Sequence, residues 1–275
     1  MSLLGTSKAV ILARGLGTRM RRPDPNAGPL DPAQIQIAET GLKAMIPIGR
    51  PFLDYVLNGL ADAGCQEVCL VVGPEHNVIR DYYIRQCVPK RLALTFAVQE
   101  RPLGTADALA AAEGFTAGQT FLVLNSDNYY PVNACRALRL LGEPGLAAFE
   151  HESLILRGNM SAERIRQFAA IVIASDGTLE RIIEKPDEKT LGSLVPEIYV
   201  SMNCWSFDSA IFGACAAINP SPRGELELPD AVQYAIDKLG VRFRVLPFHA
   251  GVLDLSSRSD IQGVVAGLRG IEVHL

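Results

Sequence analysis

The sequence lacks the features that mark membrane-spanning, secreted and zinc-binding proteins. No apolar run approaches the roughly 20 residues that a membrane-spanning helix requires, and the N-terminus does not have the pattern of a signal peptide. None of the six cysteines forms a C-x-x-C pair and the four histidines are scattered, so a zinc site is not expected. These absences predict a cytoplasmic protein without a membrane partner, in which most cysteines are buried thiols.

An excess of one charge is also lacking. The 26 Lys and Arg residues nearly balance 30 Asp and Glu residues, which gives a formal net charge of −4. Hydrophobic residues make up 48% of the chain and charged residues 20%, a mixture typical of globular proteins. Because there is no general basic surface, we expect no nucleic-acid partner.

The order of predicted elements indicates an α/β fold. Strands alternate with helices in the first half, predicted as strands at 8–14, 67–73, 92–99 and 120–127 and helices at 51–63, 76–85, 105–113 and 133–141. Such alternation predicts a mostly parallel sheet flanked by helices. The second half is richer in strands, predicted at 146–152, 168–175, 179–185, 198–207 and 243–255, with helices near 208–217, 228–239 and 259–268.

The chain shows no internal repeat and no linker. We therefore predict one domain over residues 1–275, with functional halves at about 1–145 and 146–275. Residues 21–41 contain four prolines and little periodicity, which predicts a flexible insertion loop. A lid and an insertion without function both fit this segment.

The first strand runs into an unusual loop, "VILARGLGTRM" at residues 10–20. No lysine follows the glycines at the spacing of a P-loop, and Met20 stands where a dinucleotide-binding loop has its third glycine. Because Pro23 and Pro25 follow, no helix is predicted directly after the turn. Both common phosphate-binding loops are thus disfavoured, and a simple turn is an open alternative.

Six motifs in order make the sequence more specific: LARGLGTRM, KAMIPIGRPFLDYVL, QERPLGTADAL, LNSDN, IIEKP and GVLDLSSRSDI. Together they resemble the sugar-1-phosphate nucleotidyltransferases, in particular the glucose-1-phosphate uridylyl- and thymidylyltransferases, over nearly the whole chain. The resemblance implies a Rossmann-like, GT-A-like mixed sheet with a sugar-binding second half. It also implies Mg²⁺-dependent transfer of a nucleotidyl group from a nucleoside triphosphate to a sugar 1-phosphate, with release of pyrophosphate.

The resemblance also implies roles for individual residues. Its catalytic positions are Arg19, Lys43 and Lys185, and its nucleotide-binding positions are Leu12, Ala13, Gly15, Gly17, Thr18, Gln99, Gly104 and Thr105. Its sugar-phosphate positions are Glu184, Lys185 and Asn203, and its metal positions are Asp127 and Asp254. The chemistry agrees, because an anionic sugar phosphate needs no general base. It needs cations, backbone N–H groups and metal-binding carboxylates.

Substrate identity is less well defined by the sequence. The Gln99 amide can donate and accept, which suits O4 and N3–H of uracil or thymine, so UTP or dTTP is favoured and a purine triphosphate is the alternative. Arg14 stands where relatives carry a small residue. Ala169 stands where many relatives carry a glycine that contacts the sugar, which leaves the sugar open, although a hexose such as glucose 1-phosphate is expected. These departures also leave room for an inactive nucleotide-binding homologue. A homo-oligomer is compatible with the family, and the absence of hexapeptide repeats predicts no appended acyltransferase domain.

Overall fold

The computed structural model describes residues 5–194 and 197–275. Its strands are β1 Lys8–Leu12, β2 Glu67–Val72, β3 Ala93–Val98, β4 Phe121–Asn125, β5 Asn128–Tyr129, β6 Gly145–Glu150, β7 Ala169–Ile173, β8 Leu179–Ile183, β9 Tyr199–Phe207, β10 Arg244–Phe248 and β11 Leu253–Asp254. All but β5 and β11 belong to one sheet, whose main path runs β10-β6-β9-β4-β1-β2-β3. β7 and β8 form a hairpin attached to β9.

Helices cover both faces of this sheet. They are α1 Thr18–Arg21, α2 Pro32–Thr40, α3 Phe52–Ala63, α4 Asn77–Asp81, α5 Thr105–Ala110, α6 Glu113–Thr116, α7 Val132–Leu141, α8 His151–Arg157, α9 Ala162–Ile165, α10 Glu188–Ser193, α11 Ala210–Ala217, α12 Leu228–Leu239 and α13 Asp260–Gly267, with a 3₁₀ turn at Lys43–Met45 and a π turn at Tyr82–Gln86. None of the helices in the described ranges has the length and apolar character needed to cross a membrane.

The strand directions place the loops of the first half together. β1 pairs in parallel with β2 and with β4, and β2 pairs in parallel with β3. β9 runs antiparallel to β4 and β6. The prediction of a mixed, largely parallel sheet flanked by helices is therefore confirmed. The carboxyl ends of β1 to β4 meet at one sheet edge, where ligands of open α/β sheets bind.

Burial on both faces explains why β1 is apolar from Ala9 to Leu12. Ala9 and Ile11 lie in the hydrophobic cluster on one face of the sheet, and Val10 and Leu12 lie in the cluster on the other. Side chains alternate between faces along a strand, so the middle of a strand covered on both sides is apolar at successive positions. All six cysteines are free thiols, and five of them are buried.

Three predictions of local structure were wrong. A one-turn helix, α1, begins directly after the glycine turn and ends before Pro23. Half of the predicted loop 21–41 is helical, because Asp31 and Gln34 form a capping box that starts α2. The predicted strand 243–255 is two strands, since β10 pairs with β6 whereas β11 pairs with β5.

Two smaller corrections concern helices. The strand predicted at 146–152 ends at Glu150, whose carboxylate accepts hydrogen bonds from the backbone N–H groups of Glu152 and Ser153 and caps α8. Side-chain capping of this kind favours a helix start where sequence periodicity gives no sign of one. The helix predicted at 76–85 is α4 followed by the π turn.

Candidate active site

A cavity of about 460 Å³ opens at the carboxyl edge of β1 to β4. Every predicted nucleotide-binding residue lines it, together with Arg19, Lys43 and Asp127. The cavity thus collects Arg19, Lys43, Asp127 and the backbone of the glycine loop, and Arg14, Arg223 and Glu225 also line it. Lys185, Glu184, Asn203 and Asp254 are not among its lining residues.

The two glycines of the first loop play different structural parts. A Cβ on Gly15 would meet no atom within 4 Å, so the backbone there faces open space at the cavity. Gly17 has φ +60°, and a Cβ on it would overlap the Gly41 carbonyl group. The need for glycine at Gly17 therefore comes from packing against the end of α2, and Gly15 is the position where a ligand can approach the backbone.

The predicted cations differ in how they are held. Within residues 5–194 and 197–275, the side chain of the exposed Arg19 makes one long hydrogen bond, from Nη2 to Ser256 Oγ at 3.4 Å. Lys43, in the 3₁₀ turn, forms an ion pair with Oδ2 of Asp127. Asp127 follows β4, and its carboxylate is mostly screened from solvent by the surrounding chain.

The short β5–β11 sheet joins the two predicted metal positions. Asp254 pairs with Asn128 in this sheet, and the Leu255 backbone N–H donates to the Asp127 carbonyl at 2.8 Å. Asn128 Nδ2 also donates to Asp254 Oδ2 at 3.0 Å. Burial raises the pKa of Asp254, and the nearby Asp127 carboxylate raises it further. The two carboxylates are therefore close, although residues 127 and 254 are far apart in the sequence.

Arg164 of α9 is the partner of Asp254 that sequence reasoning missed. Its guanidinium forms ion pairs with Asp254 and with Asp260, and all three side chains are largely buried. Asn159 fixes the backbone of Asp254 through two 2.8 Å hydrogen bonds. Nothing in the local sequence around 159–164 indicates a metal-site neighbour, because the contact depends on how α8 and α9 pack.

The donor set fits Mg²⁺ in part. In the described ranges no group of three or more His, Cys, Asp or Glu side chains is placed to hold a metal. Mg²⁺ commonly takes one or two carboxylates and completes its shell with phosphate oxygens and water, so Asp127 and Asp254 are sufficient. Only Asp127 faces the cavity, and both carboxylates have cationic partners, Lys43 and Arg164.

The predicted base-reading position at the end of β3 is tightly held. Gln99 is 4% exposed. Its Nε2 donates to Asp107 Oδ2 at 2.7 Å and to the Gly104 carbonyl at 3.0 Å. Its backbone carbonyl accepts from Arg14 Nε at 3.1 Å. Gly104 has φ +113° and packs against the backbone of Leu226, which explains the glycine without a nucleotide.

The predicted sugar residues lie apart from this cavity. Lys185 and Asn203 have φ of +45° and +56°, conformations that side chains rarely adopt. Asn203 lies where the pairing of β6 with β9 shifts register, and its Oδ1 accepts from Trp205 Nε1 at 3.4 Å. Backbone outliers of this kind cluster at functional sites.

Glu184 connects the sugar residues to the cavity edge. Partial burial raises the pKa of its carboxyl group, the carboxylates of Glu227 and Asp230 raise it further, and the cations Arg223 and Lys185 oppose the shift. Arg223 lines the cavity. Arg223 also forms a 2.5 Å ion pair with Glu227. This cation therefore lies between the cavity and the carboxylates of Glu184, Glu227 and Asp230.

Known proteins resemble this chain over most of its length. The family model of the nucleotidyl transferases matches residues 8–247. The low-salt glycan biosynthesis nucleotidyltransferase Agl11 of Haloferax volcanii is 27% identical over 237 residues, which are 84% of this chain and 59% of that protein. The UTP–glucose-1-phosphate uridylyltransferase AglF of the same organism is 26% identical over 230 residues, 83% of either chain.

One solved structure resembles this chain more closely in fold than in sequence. UDP-glucose pyrophosphorylase complexed with UDP-glucose superposes with a TM-score of 0.70, covering 94% of this chain and 96% of that one. The two sequences are 18% identical, so this likeness establishes the fold alone.

Proposed function

Since this chain belongs to the nucleotidyl transferase family, we propose that it joins a nucleoside triphosphate to a sugar 1-phosphate and releases pyrophosphate. The triphosphate is UTP or dTTP, and the sugar phosphate is a hexose 1-phosphate such as glucose 1-phosphate. The observation that carries this proposal is the single cavity that holds Arg19, Lys43, Gln99 and Asp127 beside the backbone of the glycine loop. No nucleophilic side chain or general base is needed there, because the attacking oxygen of the sugar phosphate is already an anion.

In this proposal, each charged side chain of the site contacts a different phosphate group or the metal. Arg19 and the Gly15 backbone bind the phosphates that leave as pyrophosphate, and the guanidinium offsets the charge that develops on them. Lys43 holds the α-phosphate against the incoming oxygen. Lys185 binds the sugar phosphate and orients its oxygen for in-line attack. When bound at Asp127 and Asp254, Mg²⁺ would neutralise further phosphate charge.

The two halves of the chain carry the two substrates in this proposal. The nucleotide is bound by the half that ends near residue 145, and the sugar phosphate by the half from 146 onward. Residues 21–41 lie next to the glycine loop, and Gly41 packs against Gly17. In this proposal, a movement of this segment would therefore shift the glycine loop that binds the phosphates.

The proposal is tested by measuring pyrophosphate release from a panel of triphosphates and sugar 1-phosphates in the presence of Mg²⁺. We expect turnover with UTP or dTTP and a hexose 1-phosphate, and loss of turnover with EDTA. Asp127→Asn should lower kcat/KM at least about a hundredfold, because it removes a metal-binding charge without removing core volume.

The exposed helix residue Asp237 offers a matched control, since Asp237→Asn makes the same chemical change at a residue that does not line the cavity. It should leave turnover at the wild-type level. No turnover with any substrate pair by the folded wild-type protein would contradict the proposal and favour an inactive binding homologue. Turnover with ATP or GTP alone would favour a purine-using enzyme.

A further inference from the structure

Arg14, the residue that departs from the family pattern, belongs to a connected chain of side chains. Arg14 is 7% exposed, and its Nη1 lies 3.0 Å from Glu75 Oε1. Its Nε donates to the Gln99 carbonyl at 3.1 Å. Gln99 in turn donates from Nε2 to Asp107 Oδ2 at 2.7 Å. The four side chains thus connect the loops after β1, β2 and β3 with the first turn of α5.

This chain fixes which edge of the Gln99 amide faces the cavity. The two acceptors around Nε2 are a carboxylate, on Asp107, and a backbone carbonyl, on Gly104. Neither can donate, so the amide must present its NH₂ group to them and its oxygen elsewhere. Both N–H bonds are then used. Over residues 5–194 and 197–275, no donor reaches Gln99 Oε1, which leaves this oxygen as the group offered to a ligand.

Arg14 and Glu75 act on the backbone rather than on the amide. Because Arg14 holds the Gln99 carbonyl while the Gln99 N–H donates to Val72 O at 2.9 Å, the residue cannot rotate as a unit to expose its NH₂ group. Turning over the amide alone would set its oxygen against the Asp107 carboxylate, and repulsion between two acceptors opposes that.

We propose that Glu75, Arg14 and Asp107 position Gln99 so that the nucleobase meets only its amide oxygen. This inference rests on the proposed use of UTP or dTTP. The enzyme then recognises the base by its imino N3–H, which donates to Gln99 Oε1. The base oxygen O4 receives no hydrogen bond from Gln99. The sequence predicts that the Gln99 amide binds both N3–H and O4 of the base. In this proposal it binds N3–H alone. Cytosine, whose N3 is an acceptor, is rejected by the same oxygen.

Modified triphosphates separate these two contacts on the wild-type enzyme. UTP, 3-methyl-UTP and 4-thio-UTP are compared in kcat/KM, or the matching thymidine triphosphates if dTTP is the substrate. The methyl group removes the N3–H donor, so use should fall about a hundredfold or more. Sulfur at position 4 is a poor acceptor, so 4-thio-UTP should be used within about threefold of UTP.

Variants of Asp107 test the positioning role. Asp107→Ala frees one N–H of Gln99 to donate to the base, so the preference for UTP over CTP should fall about tenfold and a preference for UTP over 4-thio-UTP should appear. Asp107→Asn keeps an acceptor oxygen and should restore the wild-type ratios. A merely structural Asp107 would change stability or kcat but not the ratio between bases.

The outcomes distinguish the two proposals. Turnover of UTP or dTTP together with a tenfold loss for the 4-thio analogue would overturn this inference alone, as would normal use of the 3-methyl analogue. Unchanged base ratios in Asp107→Ala would overturn the role of Asp107. Failure of the wild-type enzyme to use either UTP or dTTP would overturn the proposed function, and this inference with it.

Discussion

The proposed nucleotide edge, which is the loops after β1 to β4 with Asp254, and the proposed sugar edge, around Lys185 and Asn203, are built in opposite ways. At the nucleotide edge, charged side chains are paired with one another, as in the buried Arg14 with the half-exposed Glu75 and the largely buried Arg164 with Asp254. At the sugar edge, Lys185 is exposed and its backbone has a positive φ. The first arrangement is held by side-chain contacts and the second by backbone conformation. Substitutions at the two edges should therefore differ in how they divide between stability and activity.

Breaking the buried pair at Arg164 should give the largest effect on stability. Arg164→Met leaves Asp254, which is 2% exposed, without its cation, and the loss of one partner of a buried pair costs about 3–5 kcal/mol. Thermal or denaturant unfolding measures this change. Mg²⁺ should recover more stability in the variant than in the wild type, because the carboxylates are then free to bind it.

Arg166 provides the matched control two residues away. It pairs with Glu188 at 2.9 Å, but both side chains are largely exposed, so Arg166→Met should cost no more than about 1 kcal/mol. Equal losses for the two variants would mean that burial does not strengthen the Arg164 contacts. A lack of Mg²⁺ recovery in Arg164→Met would argue against metal binding at Asp254.

The two glycines of the first loop give the second comparison, within the nucleotide edge itself. Gly17→Ala should destabilise the protein by about 2 kcal/mol or more, because a left-handed conformation is strained for alanine and the new Cβ overlaps Gly41. Gly15→Ala meets no neighbour within 4 Å and should leave the free energy of unfolding unchanged. Its effect should be a raised KM for the triphosphate. A normal KM would show that the phosphates do not approach Gly15.

The same contrast explains which parts of the molecule the sequence predicts. The loops of the nucleotide edge each follow a parallel strand, so an apolar run and a short motif are enough to place Gly15, Gln99 and Asp127 at one cavity. Arg164 and Asn159 were missed because their approach to Asp254 depends on the packing of short helices between β6 and β7. Motif matching does not report such long-range contacts.

Predictions of segments failed where a local signal competed with periodicity. Residues 21–41 have prolines typical of a loop, yet Pro32 lies in the first turn of α2, where proline favours a helix. The run 243–255 reads as one strand because both of its parts are apolar. The two parts pair with different partners, β6 and β5, and only the tertiary arrangement separates them.

Two substitutions of Lys185 separate the smallest expected effect, a change in backbone strain, from the loss of the ammonium charge. Lys185→Ala and Lys185→Gly both remove the ammonium group, so each should raise the KM for the sugar 1-phosphate about tenfold or more, the loss of one charge-assisted hydrogen bond. They differ in backbone freedom. Glycine adopts the positive φ of this residue without the cost that alanine retains, so the glycine variant should be more stable than the alanine variant by about 1 kcal/mol. Substrate kinetics and denaturant unfolding on the pair measure the two effects separately. Wild-type kinetics in both would remove Lys185 from the sugar-phosphate site, and equal stabilities would mean that the sugar edge stores no backbone strain there.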